Sequence, residues 1–148
     1  MSAIGEFSFR KSFYALTLAA LLGACSGTQD TENLYSALGG EVGVEEIADN
    51  FIMEIANDDR IIAYFEDTNV DRFRQFFIEH LCMLTDGPCE YTGDTLVDTH
   101  VGMNVTAAAF NAIVEDLMEA MNKANIAIGT QNRLLARMAQ LREQIIQM

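Results

Sequence analysis

The chain has 148 residues, half of them apolar, with no tryptophan and a single proline. That is enough for one domain with a real core, and the scarcity of proline favours long uninterrupted helices over a turn-rich β fold. A formal net charge of −13 argues against a nucleic-acid binder, which needs a basic patch to meet phosphates.

The first stretch reads as a targeting segment. Arg10 and Lys11 form a basic flank, Phe13–Leu22 is an apolar run, and Leu22-Gly23-Ala24-Cys25 follows. The run is too short to span a bilayer and fits a secretory signal. A cysteine directly after small residues resembles a bacterial lipoprotein signal. On that resemblance residues 1–24 are removed and Cys25 is acylated as the new N-terminus; the plainer alternative is an ordinary signal peptide in which Cys25 is incidental. Ser26 in place of an aspartate suggests, by the same resemblance, the outer membrane. Residues 25–33 then form the lipidated end and a polar tether with no apolar period.

From residue 34 the pattern turns helical and holds to 148. After a short apolar turn at Leu34–Leu38, Gly39-Gly40 breaks the chain, and Val44, Ile47, Ala48, Phe51 and Ile55 then mark one face of a helix. Asn57-Asp58-Asp59 ends it. Arg60–Phe65 is a brief apolar turn before the Asp67-Thr68-Asn69 loop. Val70, Phe73, Phe77, Leu81 and Leu84 share a second helical face, stopped by Asp86-Gly87-Pro88. Thr106 can cap a third helix through its hydroxyl, with Phe110, Ile113, Leu117 and Met121 on its apolar face. A fourth runs on Leu134, Leu135, Met138, Leu141 and Ile145. Four helices with one apolar face each must pack on one another, giving an all-α domain.

His100, one of two histidines, lies between the helix pairs in Tyr91–Thr106, with turn formers on both sides. It sits on a very short helix held between loops. An imidazole so fixed can project into an apolar chamber, as a haem iron requires of an axial ligand.

The segment Tyr91-Thr92-Gly93, His100 seven residues on, Gly102, and Val105-Thr106 opening a helix resembles the proximal segment of group I truncated haemoglobins. Leu34-Tyr35, Leu38-Gly39-Gly40, Phe51, Asp58-Asp59, Phe65, Thr68-Asn69, Arg72 and Gly87-Pro88 follow that family's order and spacing, so the resemblance runs from Leu34 to Ile146. It implies a two-over-two helical sandwich around haem b, with His100 on the iron and Phe65 stacked on the porphyrin. It also implies O₂, NO or CO as ligands. Arg72 and Arg74 become candidates for the haem propionates.

Two departures from the family concern the other face of the haem. Ile52 stands where the family usually has a tyrosine, and Phe73 and Phe77 stand where it often has a glutamine. Gln75, between them on the helical wheel, is expected to point away. With Ile52, Phe73 and Phe77 over the iron, the expectation is an apolar site with no evident hydrogen-bond donor, and His80 is placed at the porphyrin rim. Phe76 replaces a usual basic partner of a propionate. A haem enzyme acting on nitric oxide or peroxide, and an iron-free interaction module, are the rival readings. Polar groups near the iron assist such turnover, which weighs against the enzyme. Cys82 and Cys89 flank the Asp86-Gly87-Pro88 turn, and in an oxidising compartment a disulfide between them is expected, with two free thiols as the alternative.

Overall fold

The computed structural model describes residues 33–146. The expected signal peptide, Cys25 and most of the tether lie outside the described residues. Asn33, assigned above to the tether, belongs to the fold. Its side chain accepts from the Ser36 N–H at 3.0 Å and donates to the Asp86 carbonyl at 2.9 Å, capping the first helix.

The described residues contain helices and no strand. In order they are α1 (Leu34–Ala37), α2 (Gly40–Asn57), α3 (Val70–Leu84), α4 (Leu96–His100), α5 (Ala107–Lys123) and α6 (Ile128–Ala139), with 3₁₀ turns at Ile62–Phe65 and Arg142–Gln144. α2 packs against both α3 and α5, and α1 against α2 and α6. Leu38, Val44, Ile47, Leu81, Leu117, Met121 and Leu134 are fully buried at the centre. Each such side chain contributes about 1.5–3 kcal/mol through removal from water.

Glycine shapes the α1–α2 corner. A Cβ on Gly43 would stand 1.9 Å from the Leu38 carbonyl oxygen, so only glycine lets the two helices close there. α3 begins on Asn69, whose side chain accepts from the Arg72 N–H at 2.9 Å. The α3 end is fastened from several directions. Tyr35 N–H donates to the Thr85 carbonyl at 2.9 Å. Arg137 on α6 donates to the Leu84 carbonyl at 2.5 Å and to Asp86 at 2.6 Å. Cys82 and Cys89 are joined as a disulfide, with their Cα atoms 5.8 Å apart.

One expected element is shorter than its pattern. α6 stops at Ala139 rather than running to Ile145. Leu141 N–H bonds to Met138 and Gln144 N–H to Leu141, the tighter i→i−3 pattern of 3₁₀ structure. Leu141 and Ile145 still reach the interior.

A carboxyl cluster sits where α2 ends against α5. Asp58 accepts from the Arg60 backbone N–H at 2.8 Å and pairs with its guanidinium at 2.7 Å, and Arg60 also reaches Glu115 at 2.6 Å. Asp116 is 8% exposed, and its Oδ2 has no hydrogen-bond partner. Burial, reinforced by the Asp58 charge, pushes its carboxyl up to about 6; Arg60, 4.0 Å away, pulls the other way.

Candidate functional site

A cavity of about 700 Å³ opens between α2, α3, α4 and α5 and reaches the C-terminal turn, a size ordinary for a cofactor pocket. His100, Phe65, Phe73, Phe77 and Arg72 all line it.

α4 is built to hold His100 still. The Thr95 hydroxyl accepts from the Asp98 N–H at 3.1 Å and donates to the Asp98 carboxylate at 2.6 Å, a reciprocal cap of the first turn. His100 Nδ1 lies 2.7 Å from the Leu96 carbonyl, one turn earlier. A carbonyl only accepts, so Nδ1 carries the proton and Nε2 keeps its lone pair. The Thr99 hydroxyl is engaged elsewhere, donating to the Thr95 carbonyl at 2.9 Å. The chain leaves α4 through Gly102 and Asn104, both at positive φ, and Thr106 caps α5 by accepting from the Ala109 N–H at 3.0 Å.

The opposite wall is aromatic. Phe51 and Phe77 stack with centroids 4.7 Å apart, Phe73 and Phe77 stack at 5.8 Å, and Phe65 meets Phe73 edge-on at 5.5 Å. Such pairs each add about 0.5–1.5 kcal/mol to the burial of the rings.

Two expected site residues are placed elsewhere. Ile52 is not among the lining side chains. Phe51 takes the inward position on α2, in phase with buried Val44, Ile47, Ala48 and Ile55, and the next residue is turned about 100° away. Arg74 also misses the cavity. It pairs with Asp49 on α2 at 2.5 and 3.0 Å, since residues two apart on α3 cannot share a face with Arg72. Gln75 donates to Glu79 at 2.9 Å and points away from the cavity, as expected.

Arg72 stands at the mouth with Asp67, Asp94 and Asp98. It lies 5.1 Å from the centre of the Phe76 ring and 3.3 Å from Asp94. Both partners of that ion pair are well exposed, so the pair is weak and Arg72 can turn to another carboxylate at little cost.

His80 and Tyr91 also line the cavity, though the sequence pattern set His80 at a rim and gave Tyr91 no role. Their rings meet edge-on at 5.3 Å. The Tyr91 hydroxyl donates to the Asp94 carbonyl at 2.7 Å. The neighbouring Thr92 is tied to α3 through the Glu79 carboxylate at 2.8 and 2.9 Å, and these bonds, after that from Gln75, hold the Glu79 carboxyl below its usual range. The available signal was spacing: His80 falls seven residues after Phe73 and so on the same face of α3.

An all-α frame with a histidine whose Nδ1 is tied to a backbone carbonyl, set opposite a wall of phenyl rings, is the build of a globin haem pocket. The bacterial-like globin family model matches residues 33–147. A group 1 truncated hemoglobin GlbN of Mycolicibacterium paratuberculosis is 26% identical over 113 residues, 76% of this chain and 83% of that protein. One from Nostoc sp. (strain MUN 8820) is 27% identical over 76% of this chain and 96% of its own. The truncated hemoglobin of Tetrahymena pyriformis, solved in an Fe(III) form, superposes with a TM-score of 0.76 at 25% identity, covering 78% of this chain and 98% of that one. The chain belongs to the bacterial-like globin family, as a group I truncated haemoglobin. Its cofactor is a haem iron, and diatomic gas binding is its class of activity.

Proposed function

We propose that this chain is a haem b globin of the bacterial envelope in which His100 Nε2 binds the iron and O₂, CO or NO is taken up on the opposite face. The observation that carries the reading is the 2.7 Å bond from His100 Nδ1 to the Leu96 carbonyl in the wall of a cavity of cofactor size. That bond fixes the tautomer, turns the ring and raises the basicity of Nε2. Haem supplies the iron at which the gas binds; the protein supplies orientation and shelter. Phe65, Phe73 and Phe77, which line the cavity, would flank a flat ring held there and keep water from it. Arg72, in its weak exposed pair with Asp94, would be the residue to hold a propionate as a forked donor.

The test is reconstitution with haem. Wild type should develop a strong Soret band, while His100→Ala should lose it or hold haem only with added imidazole. A variant with wild-type spectrum and retention would refute the assignment of His100.

The envelope reading rests on Arg10, Lys11, the Phe13–Leu22 run and Cys25. The chain should carry lipid on Cys25 at the outer membrane, and Cys25→Ser should remain unacylated and leave the membrane fraction. Among the described residues no helix is long and apolar enough to cross a membrane. Unmodified Cys25 in envelope-derived protein would sink it.

A further inference from the structure

Phe73, Phe77 and His80 recur on α3 at i, i+4 and i+7, so His80 shares the helix face that presents two phenyl rings to the cavity, and it lines the cavity with them. Its Nδ1 is enclosed by protein and meets no hydrogen-bond partner. The ring is held edge-on against Tyr91. Burial lowers its pKa and so favours the neutral form.

A neutral imidazole has one proton for two nitrogens. Placing it on Nδ1 would bury an N–H with nothing to accept it, and orphaned buried N–H groups are the rarer kind. The proton therefore belongs on Nε2, the edge of the ring that remains open. Other polar groups nearby are engaged: the Tyr91 hydroxyl with Asp94, the Thr99 hydroxyl with Thr95, and His100 Nδ1 with Leu96. Tyr64, on the 3₁₀ turn, and Thr68 are the competing hydroxyls in the lining.

We propose that His80 presents its Nε2–H to the cavity and hydrogen-bonds the gas ligand held there, supplying the donor that the rings of Phe51, Phe73 and Phe77 cannot. The inference rests on the haem reading above and revises the expectation of a site without a donor. His80 then acts as a specificity-determining residue. It favours a ligand that draws negative charge when bound, as O₂ does, and matters less for CO.

The experiment has two arms. In the haem-free protein, ¹⁵N-histidine NMR at pH 7 should find His80 neutral and protonated on Nε2. In the haem-reconstituted ferrous protein, His80→Leu should raise the C–O stretching frequency of the CO complex. It should also speed O₂ release by roughly ten- to a hundredfold, the scale of one charge-assisted hydrogen bond. His80→Gln, which keeps an N–H, should recover much of the loss, and Tyr64→Phe should match wild type. An Nδ1-protonated ring, equal rates in wild type and His80→Leu, or an effect seen only in Tyr64→Phe would each overturn the proposal. So would a six-coordinate unliganded ferrous spectrum abolished by His80→Leu, because the ring would then bind iron instead of ligand. A missing Soret band in every protein would overturn the haem reading itself, whereas an intact band indifferent to His80 would overturn this inference alone.

Discussion

The two walls of the cavity are held by different physics. On the α4 side, position comes from short-range hydrogen bonds: Thr95 with Asp98, His100 with Leu96, Thr99 with Thr95. On the α2–α3 side it comes from rings packed face to face and edge to face, with centroids 4.7–5.8 Å apart. Hydrogen bonds fix direction, so the α4 side can aim one nitrogen at one atom. Ring packing fixes volume, so the α3 side excludes water and tolerates different occupants. The iron ligand is aimed from the α4 wall and sheltered by the rings of the other, where His80 is the polar exception.

The largest effect expected from breaking this contrast is on the aimed wall. His100→Ala should cost most of the bound haem, read from the Soret band and from the rate of haem transfer to an acceptor globin. Leu96 offers a backbone carbonyl that no substitution removes, so shortening the side chain is the direct break.

Next comes the brace between the walls. Reducing Cys82–Cys89, which closes a loop of eight residues, should lower stability by about 2–3 kcal/mol on the chain-entropy estimate. In a domain of this size that is roughly 10 °C of melting temperature. Hydrogen exchange should show the loosening in residues 85–100, ahead of α2. Equal melting of oxidised and reduced protein would dissolve the idea of a brace.

A smaller effect lies away from both walls, at Asp116. Its folded pKa is near 6 against about 3.9 for an unperturbed aspartate. The folded state therefore holds a proton between those values that the unfolded chain has released. The resulting penalty is absent below pH 4, grows through pH 4–6 and is complete above 6. Asp116→Asn should raise stability at pH 7–8 by on the order of 1 kcal/mol after solvent screening, with no gain at pH 4. A gain of equal size at both pH values would place the benefit in something other than charge.

The smallest expected change is Ile52→Tyr. With Ile52 outside the cavity lining, O₂ release should stay within about twofold of wild type, far less than the shift expected from His80→Leu. A large slowing by Ile52→Tyr would mean that α2 turns by a residue when the cavity fills.

What the sequence made legible follows the same divide. The apolar faces of the helices, the Thr106 cap and the short helix that carries His100 are decided within a few residues, and periodicity, turn formers and cap chemistry expose them. The family's joint spacing was legible too. The phase of α2 and α3 was legible as well, since Phe51, Phe73 and Phe77 face inward as their spacing requires. Ile52 and Arg74 were expected at the site although each lies one or two positions from an inward residue, and each step turns a side chain 100°. His80 lines the cavity because it falls seven residues after Phe73, which returns it to the same side of α3. Contacts such as Arg137 to Leu84 and Thr92 to Glu79 join residues far apart in sequence, and no local pattern encodes them.

The end of α3 has a mechanical consequence. Asn33 and Tyr35, at the start of the domain, bond to Asp86 and Thr85; Arg137, on the last helix, bonds to Leu84 and Asp86; the disulfide closes the same corner. Both ends of the domain are thus moored to one knot. A pull on the chain ahead of Asn33 arrives first at that knot and is shared with α6 and the Cys82–Cys89 link. It then reaches the histidine segment by way of the loop beyond Cys89, the Thr92–Glu79 bonds and the packing of the Arg142–Gln144 turn on α4. The cavity hangs behind the mooring rather than in line with the load.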